Sequence, residues 1–315
     1  MKTGICVLAT AALAGVTGLA PAAVLYQTNF EVSPAANFTT AISNAPDTEA
    51  DYNYNYATWV PTAPTAGITS ITLAPNSTAG GTRALKMRAN FDATGTNEGV
   101  TAYLTPSAGL TSWSLTFDAF QLWNGPDAGS ATGSTTGFTM GNANPATPMY
   151  SGATTFNGWF LLFTGEGGQG TSGDARYYSG TNAAPISANT TPNWAINGGT
   201  TLDPNYPGAV GTWDSIFTAG GGYNPAGTPG RQWVTWELIA KDGSVKVSVT
   251  PVGGVKTQIA NWIQAANQTI GLGFWDFNTG SVANPPVDNF VLVDNLKLET
   301  APVTPAAVSE WSLFQ

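Results

Sequence analysis

No histidine occurs anywhere in the 315 residues, and that absence removes whole classes of chemistry. Ser-His-Asp and Cys-His nucleophilic catalysis, histidine general bases and most zinc or iron sites all need an imidazole. Cysteine is nearly missing too: Cys6 is the single one. It lies in the N-terminal leader, so the mature chain forms no intramolecular disulfide. Charge is scarce, at 9% of residues against the usual quarter. Ten Lys and Arg stand against 19 Asp and Glu, for a net charge of −9 and a pI near 4.3. An acidic chain without a basic run is no nucleic-acid binder, and anionic lipid surfaces repel it.

What fills the chain instead is Gly (37), Pro (21), Ser, Thr and Asn, with aromatics at 11% including 11 Trp. That aromatic content argues against disorder and for a loop-rich all-β protein with a polar surface. The length suits one large sandwich or two small domains. Residues 1–23 read as a secretory signal peptide: Lys2 is the positive start, Ile5–Leu19 the apolar run, and Ala20-Pro21-Ala22 or Pro21-Ala22-Ala23 the small-residue cleavage site. Export follows as an expectation.

Alternating apolar and polar residues predict strands. Val24–Glu31 opens the series, and Ile68–Leu73 is a further candidate. Leu85, Met87, Ala89 and Phe91 share one face of the next, and Trp113, Leu115 and Phe117 oppose Ser114, Thr116 and Asp118. Phe156–Thr164 is almost wholly apolar and suits the middle of a sandwich. In Gln232–Thr250, Val234, Trp236 and Leu238 alternate towards a Lys241-Asp242-Gly243 turn, and Val245, Val247 and Val249 alternate back. Ile270, Leu272 and Phe274 share a side, with glycines and Trp275 opposite. In Phe290–Glu299 the parity of Phe290, Leu292, Leu296 and Leu298 also includes Asp294. Either a carboxylate points inward or a bulge near Asp294–Asn295 shifts the register. Ser33–Ala66 reads as irregular, and a short helix of at most two turns is expected around Ala260–Asn267.

The closing stretch, "GLGFW…VDNLKLE", resembles the last strands of concanavalin A-like lectin/glucanase sandwiches of exported bacterial proteins. "RQWVTWELIAKDGSVKVSV" resembles the hairpin of laminin-G-like and concanavalin A-like domains. The resemblance implies an all-β, concanavalin A-like jelly-roll β-sandwich of two antiparallel sheets over residues 24–300. It also implies that the opening "FE" strand pairs near the closing one. Residues 165–230 form a long aromatic insertion within that domain.

Three constellations could carry chemistry. Asp47, Glu49 and Asp51 share a face if extended, which would suit a calcium ion's hard oxygen ligands. The same acids are the candidate machinery of a glycoside hydrolase, although their order departs from the Glu-x-Asp-x-(x)-Glu strand of the family's glucanases, and a solvated acidic loop is the plainer reading. Trp123, Trp194, Tyr206, Trp213 and Tyr223, with Asp214 and Asn224, combine rings for the C–H faces of sugars with acceptors and donors for their hydroxyls. They are the candidate carbohydrate-binding residues; cover for a satellite core is the alternative. Asp294, with Glu31 and Asp288, is the third: in carbohydrate-binding sandwiches the resemblance implies a structural calcium near the first and last strands, and a bulge that satisfies Asp294 is the alternative. No cofactor is required.

Residues 301–315 are a Pro/Ala linker and tail. The pattern Pro-x-x-x-Ser-Glu-Trp-x-Leu from Pro305 resembles the start of PEP-CTERM/IPTL-type sorting signals, without the membrane helix and basic tail that follow there; a truncated signal and an ordinary frayed terminus both stay open. The expectation is a non-catalytic, exported sandwich that binds a glycan or contributes to an extracellular surface layer, on the cell surface or secreted. A glycoside hydrolase or polysaccharide lyase of the same superfamily, and a structural matrix or sheath protein, stay open.

Overall fold

In the computed structural model, residues 22–61, 68–90, 97–122, 137–150, 156–164, 175–179, 216–217, 229–263, 268–276 and 289–302 are described. They form fourteen strands: β1 (Val24–Thr28), β2 (Phe38–Ile42), β3 (Thr48–Asn55), β4 (Arg83–Ala89), β5 (Glu98–Leu104), β6 (Trp113–Leu122), β7 (Gly137–Ala143), β8 (Gly158–Thr164), β9 (Ala175–Ser179), β10 (Trp233–Lys241), β11 (Ser244–Pro251), β12 (Thr257–Ile263), β13 (Thr269–Asp276) and β14 (Phe290–Thr300). Sheet A runs β12-β11-β10-β6-β14-β4-β3, with β1 also on β14; sheet B runs β2-β5-β13-β7-β8-β9. Every pairing is antiparallel. Strands β4 to β7 alternate between the sheets, which is the jelly-roll pattern.

The core lies where the apolar faces meet. Leu85 and Met87 of β4, Leu115 and Phe117 of β6, and Trp236 and Leu238 of β10 pack against Val100 and Ala102 of β5, Phe138 of β7 and Leu272 and Phe274 of β13. The alternation read from the sequence holds in each of these strands. From the long insertion, Phe217 is 1% exposed and joins the same core.

Strand β14 organises sheet A. Its first half pairs with β4 (Val291↔Met87, Val293↔Leu85) and its second half with β1 (Tyr26↔Leu298, Thr28↔Leu296), while β6 takes its other side. The β6 register shifts between Asp294 and Lys297, and Asn295 adopts φ 50°. This bulge settles the parity conflict. Val291 and Val293 point into the core before it, Leu296 and Leu298 after it, so Phe290, Leu292 and Asp294 face the outside of sheet A. Phe290 and Leu292 are covered there by Tyr56, Trp59, Ile71 and Ala74, and the Trp233 indole donates to the Thr72 carbonyl (2.7 Å). The first and last strands meet as the resemblance implied: the Thr300 amide donates to the Ala23 carbonyl, and the Ala23 amide to Thr300 Oγ1 (both 2.9 Å).

Sheet B is covered too. Met149 and Phe156 pack on Tyr103, Phe160 and Trp275. A Cβ on Gly271 would stand 2.8 Å from the Tyr103 ring and 3.0 Å from Met149 Cε, so glycine there lets the cover lie flat on the sheet.

Three expectations change. Ser33–Ala66 is not irregular, since it holds β2 and β3. Ile68–Leu73 is not a strand: it packs as an irregular cover on sheet A, with Ile71 fixed by the outer apolar cluster rather than by a ladder. Where a short helix was expected, Thr257–Ile263 instead completes sheet A against β11, whose open edge offers partners to the backbone groups that face it. The opening strand ends at Thr28, and Phe30 turns into the core with φ 57°.

Candidate functional site

The aromatic set Trp123, Trp194, Tyr206, Trp213 and Tyr223, with Asp214 and Asn224, lies outside the described residues. The four proposed metal ligands do not. Asp47 closes a 3-10 turn, Ala45–Asp47, ahead of β3 and is fully buried; its carbonyl accepts from the Asn90 amide (2.8 Å). Glu49 on β3 pairs with the Arg88 guanidinium and lies 3.9 Å from Lys86 Nζ. Asp51 Oδ1 accepts from the Asn53 amide (2.9 Å). The turn at Asp47 breaks the alternation that would have aligned the three acids. Among the described residues, no group of three or more acidic, His or Cys side chains stands ready to hold a metal ion.

Asp294 sits in a different setting, one that the sequence reading missed in part. The bulge brings it opposite Asp118 of β6, and both carboxylates are buried beneath the segment that follows Ile71. Asp118 Oδ1 accepts from Asn76 Nδ2 (2.8 Å) and Thr235 Oγ1 (2.6 Å), and Oδ2 from the Asn76 amide (3.1 Å) and Asn295 Nδ2 (2.9 Å). Asp294 Oδ1 accepts from the Asn295 amide (2.7 Å) and Oδ2 from Ser77 Oγ (2.9 Å). Burial first, and the Asp118 and Glu31 charges after it, push the Asp294 carboxyl up to about 7. Glu31 Oε1 accepts from the Arg83 amide (2.9 Å); Asp288 lies outside the described residues. A calcium ion needs free oxygen lone pairs from six to eight ligands. Protein donors already occupy these oxygens, so the Asp118–Asp294 pair does not fit a calcium ion. It serves instead to pin the cover segment through Asn76 and Ser77. The only sequence signal was Asp118 on the polar parity of β6.

A second facing pair stands at one end of the sandwich. Glu98 begins β5 and Asp276 ends β13, directly opposite one another. Both share the parity of their strands' core residues, and they are 5% and 6% exposed. Asn44 Nδ2 donates to Glu98 Oε1 (2.7 Å), Asn289 Nδ2 to Asp276 Oδ2 (3.4 Å), and the Trp275 indole to Asn97 Oδ1 (2.5 Å). Glu98 Oε2 and Asn289 Oδ1 are buried without a hydrogen-bond partner.

No family model matches the chain. No curated protein matches it either. Among solved structures it is similar to a Bacillus subtilis protein of unknown function with a galectin-like fold (8% identity, TM-score 0.42, covering 90% of this chain and 98% of that one). It is also similar to the exoplasmic/lumenal domain of VIP36 in its Ca2+/Man3GlcNAc-bound form (10% identity, TM-score 0.40, covering 88% and 97%). A third is metal-free lectin I-B4 from Griffonia simplicifolia (9% identity, TM-score 0.41, covering 86% and 95%). Among the described residues, no helix is long and apolar enough to cross a membrane.

Proposed function

We propose that this chain is an exported, non-catalytic carbohydrate-binding β-sandwich that acts at a polysaccharide-bearing surface outside the cell. One observation supports it above the others: the aromatic insertion is tied to the frame at both ends and in the middle. It leaves from β9 at the edge of sheet B and re-enters as β10 inside sheet A, and Phe217 is driven into the core. Trp194, Tyr206, Trp213, Asp214, Tyr223 and Asn224 lie in sequence between these attachment points, in the connecting stretch where recognition residues are usually found. Rings and amide or carboxylate groups together meet the two faces of a sugar's chemistry.

Hydrolysis is supported less. A glycosidase needs two carboxylates reachable by substrate, and both facing acid pairs among the described residues are buried. Glu49 is committed to Arg88 and Lys86.

The test is a glycan array with mature protein starting at Val24, run with Ca2+ and with chelator. Binding should be lost in Trp194→Ala/Trp213→Ala while the melting temperature holds. A protein that captures no glycan, or whose capture ignores both substitutions, overturns the reading. N-terminal sequencing of the secreted product tests export: a mature start outside residues 21–24 counts against the leader.

A further inference from the structure

A carboxylate buried away from water is costly unless it is paired, fully hydrogen-bonded or bound to a metal. Glu98 meets none of the first two conditions. It is 5% exposed and has a single hydrogen bond, from Asn44 to Oε1. The ion pairs among the described residues join Glu49 to Lys86 and Arg88, Glu237 to Lys256, and Glu299 to Lys297, and none reaches it. Its second oxygen, Oε2, is buried with no hydrogen-bond partner.

Among the described residues, the surroundings of Glu98 add oxygens. Asp276 faces Glu98 from the adjacent strand, where Cβ atoms of opposed residues lie about 4.5–5.5 Å apart. Asn289, whose amide touches the Asp276 carboxylate, holds a second buried oxygen, Oδ1, with no donor. Two acids side by side and two orphaned acceptor oxygens form the inverse of the Asp118–Asp294 arrangement, where every carboxylate oxygen has a donor. We propose that Glu98, Asp276 and the Asn289 side-chain carbonyl hold a divalent cation of the calcium class at this end of the sandwich. Carboxylate and amide oxygens are the ligands such a hard cation takes, and the loose geometry of calcium suits side chains from three strand ends better than the strict octahedron of magnesium. A bound ion would tie β5, β13 and the start of β14 together. The inference is independent of glycan binding.

Terbium luminescence tests it, since Trp275 neighbours Asp276 and its indole is bonded to Asn97 beside Glu98. Excited through tryptophan, the mature protein should give saturable Tb3+ emission that Ca2+ displaces and Mg2+ displaces poorly. Glu98→Gln and Asp276→Asn should each weaken Tb3+ binding by about tenfold or more, with near-ultraviolet dichroism retained, whereas Asp51→Asn should not change it. Absence of saturable emission from the unsubstituted protein, or binding indifferent to both substitutions, overturns the proposal. If Glu98→Gln fails to fold, Asp276→Asn and calorimetric titration of the unsubstituted protein with CaCl2 decide: no heat of binding overturns it.

Discussion

Asp118 and Asp294 face one another across β6 and β14, buried, and share Asn295 between them: its amide N–H serves Asp294 and its side chain serves Asp118. Two like charges this close stay together because one of them can keep its proton. The Asp294 carboxyl is raised from 3.8 to about 7, mainly by burial.

Stability should therefore depend on pH with a definite sign. A carboxyl whose folded pKa lies above its unfolded value adds stability below the unfolded value, and that contribution is lost as pH rises through the folded one. The window here runs from about pH 4 to about pH 7. Denaturant unfolding should show the protein losing on the order of 4 kcal/mol across it from this group. Asp294→Asn, which stays neutral, should flatten that slope; an unchanged slope contradicts the assignment.

Asp118→Ala strands four donors: the Asn76 amide and side chain, Thr235 Oγ1 and the Asn295 side chain. A cost of about 3 kcal/mol or more is expected. The cover segment should loosen first, so limited proteolysis should cut between Ile71 and Gly81 before the strands give way. Simultaneous loss of all structure would show that the cover and sheet A unfold as one.

Trp236 is 2% exposed and lies between Phe138 (6.0 Å between ring centroids) and Phe163 (4.5 Å). Trp236→Ala should cost about 3–5 kcal/mol in chemical unfolding. Val255, 81% exposed, is the control: Val255→Ala should stay within about 0.5 kcal/mol.

Gly271→Ala places a methyl against Tyr103, Thr101 and Met149. The cover must lift or the strand must shift, at about 1–3 kcal/mol. Thermal unfolding reads the loss, and Met149→Ala in the same chain should recover part of it by opening room beside the new methyl.

Much of this architecture could be read from alternation alone. The inward residues of β4, β6, β10, β11 and β13 followed from their parity, and Asp294 in the apolar parity of β14 signalled the bulge before any contact was known. Other features depend on partners far away in sequence. Asp118 lies 42 residues from Asn76 and 177 from Asn295, and nothing local distinguishes it from a solvated strand residue. Glu98 was hidden for the same reason: an acid at a strand's start usually faces water, and only its position opposite Asp276 buries it. Asp47, Glu49 and Asp51 misled in the other direction. Even spacing suggested a shared face, but Asn44-Ala45-Pro46 favours a turn, and Arg88 and Lys86 on β4 supply countercharges that spacing within one strand does not reveal. Ile68–Leu73 is apolar enough for a strand, yet its apolar residues are taken up by the outer face of sheet A, where Ile71 packs with Phe290 and Leu292.

The pairing of β1 with the last residues of β14 sets how this molecule would be displayed. Chain entry at Ala23 and exit at Thr300 lie side by side, with Lys241 Nζ holding the Pro302 carbonyl (2.9 Å). Glu98, Asp276 and Asn289 belong to the far end. A tether fused before the first strand or after the last would therefore hold the sandwich in the same attitude, with its acidic end pointing away from the attachment. Immobilising the protein through either terminus should therefore leave Tb3+ capture at Glu98 and Asp276 unaffected.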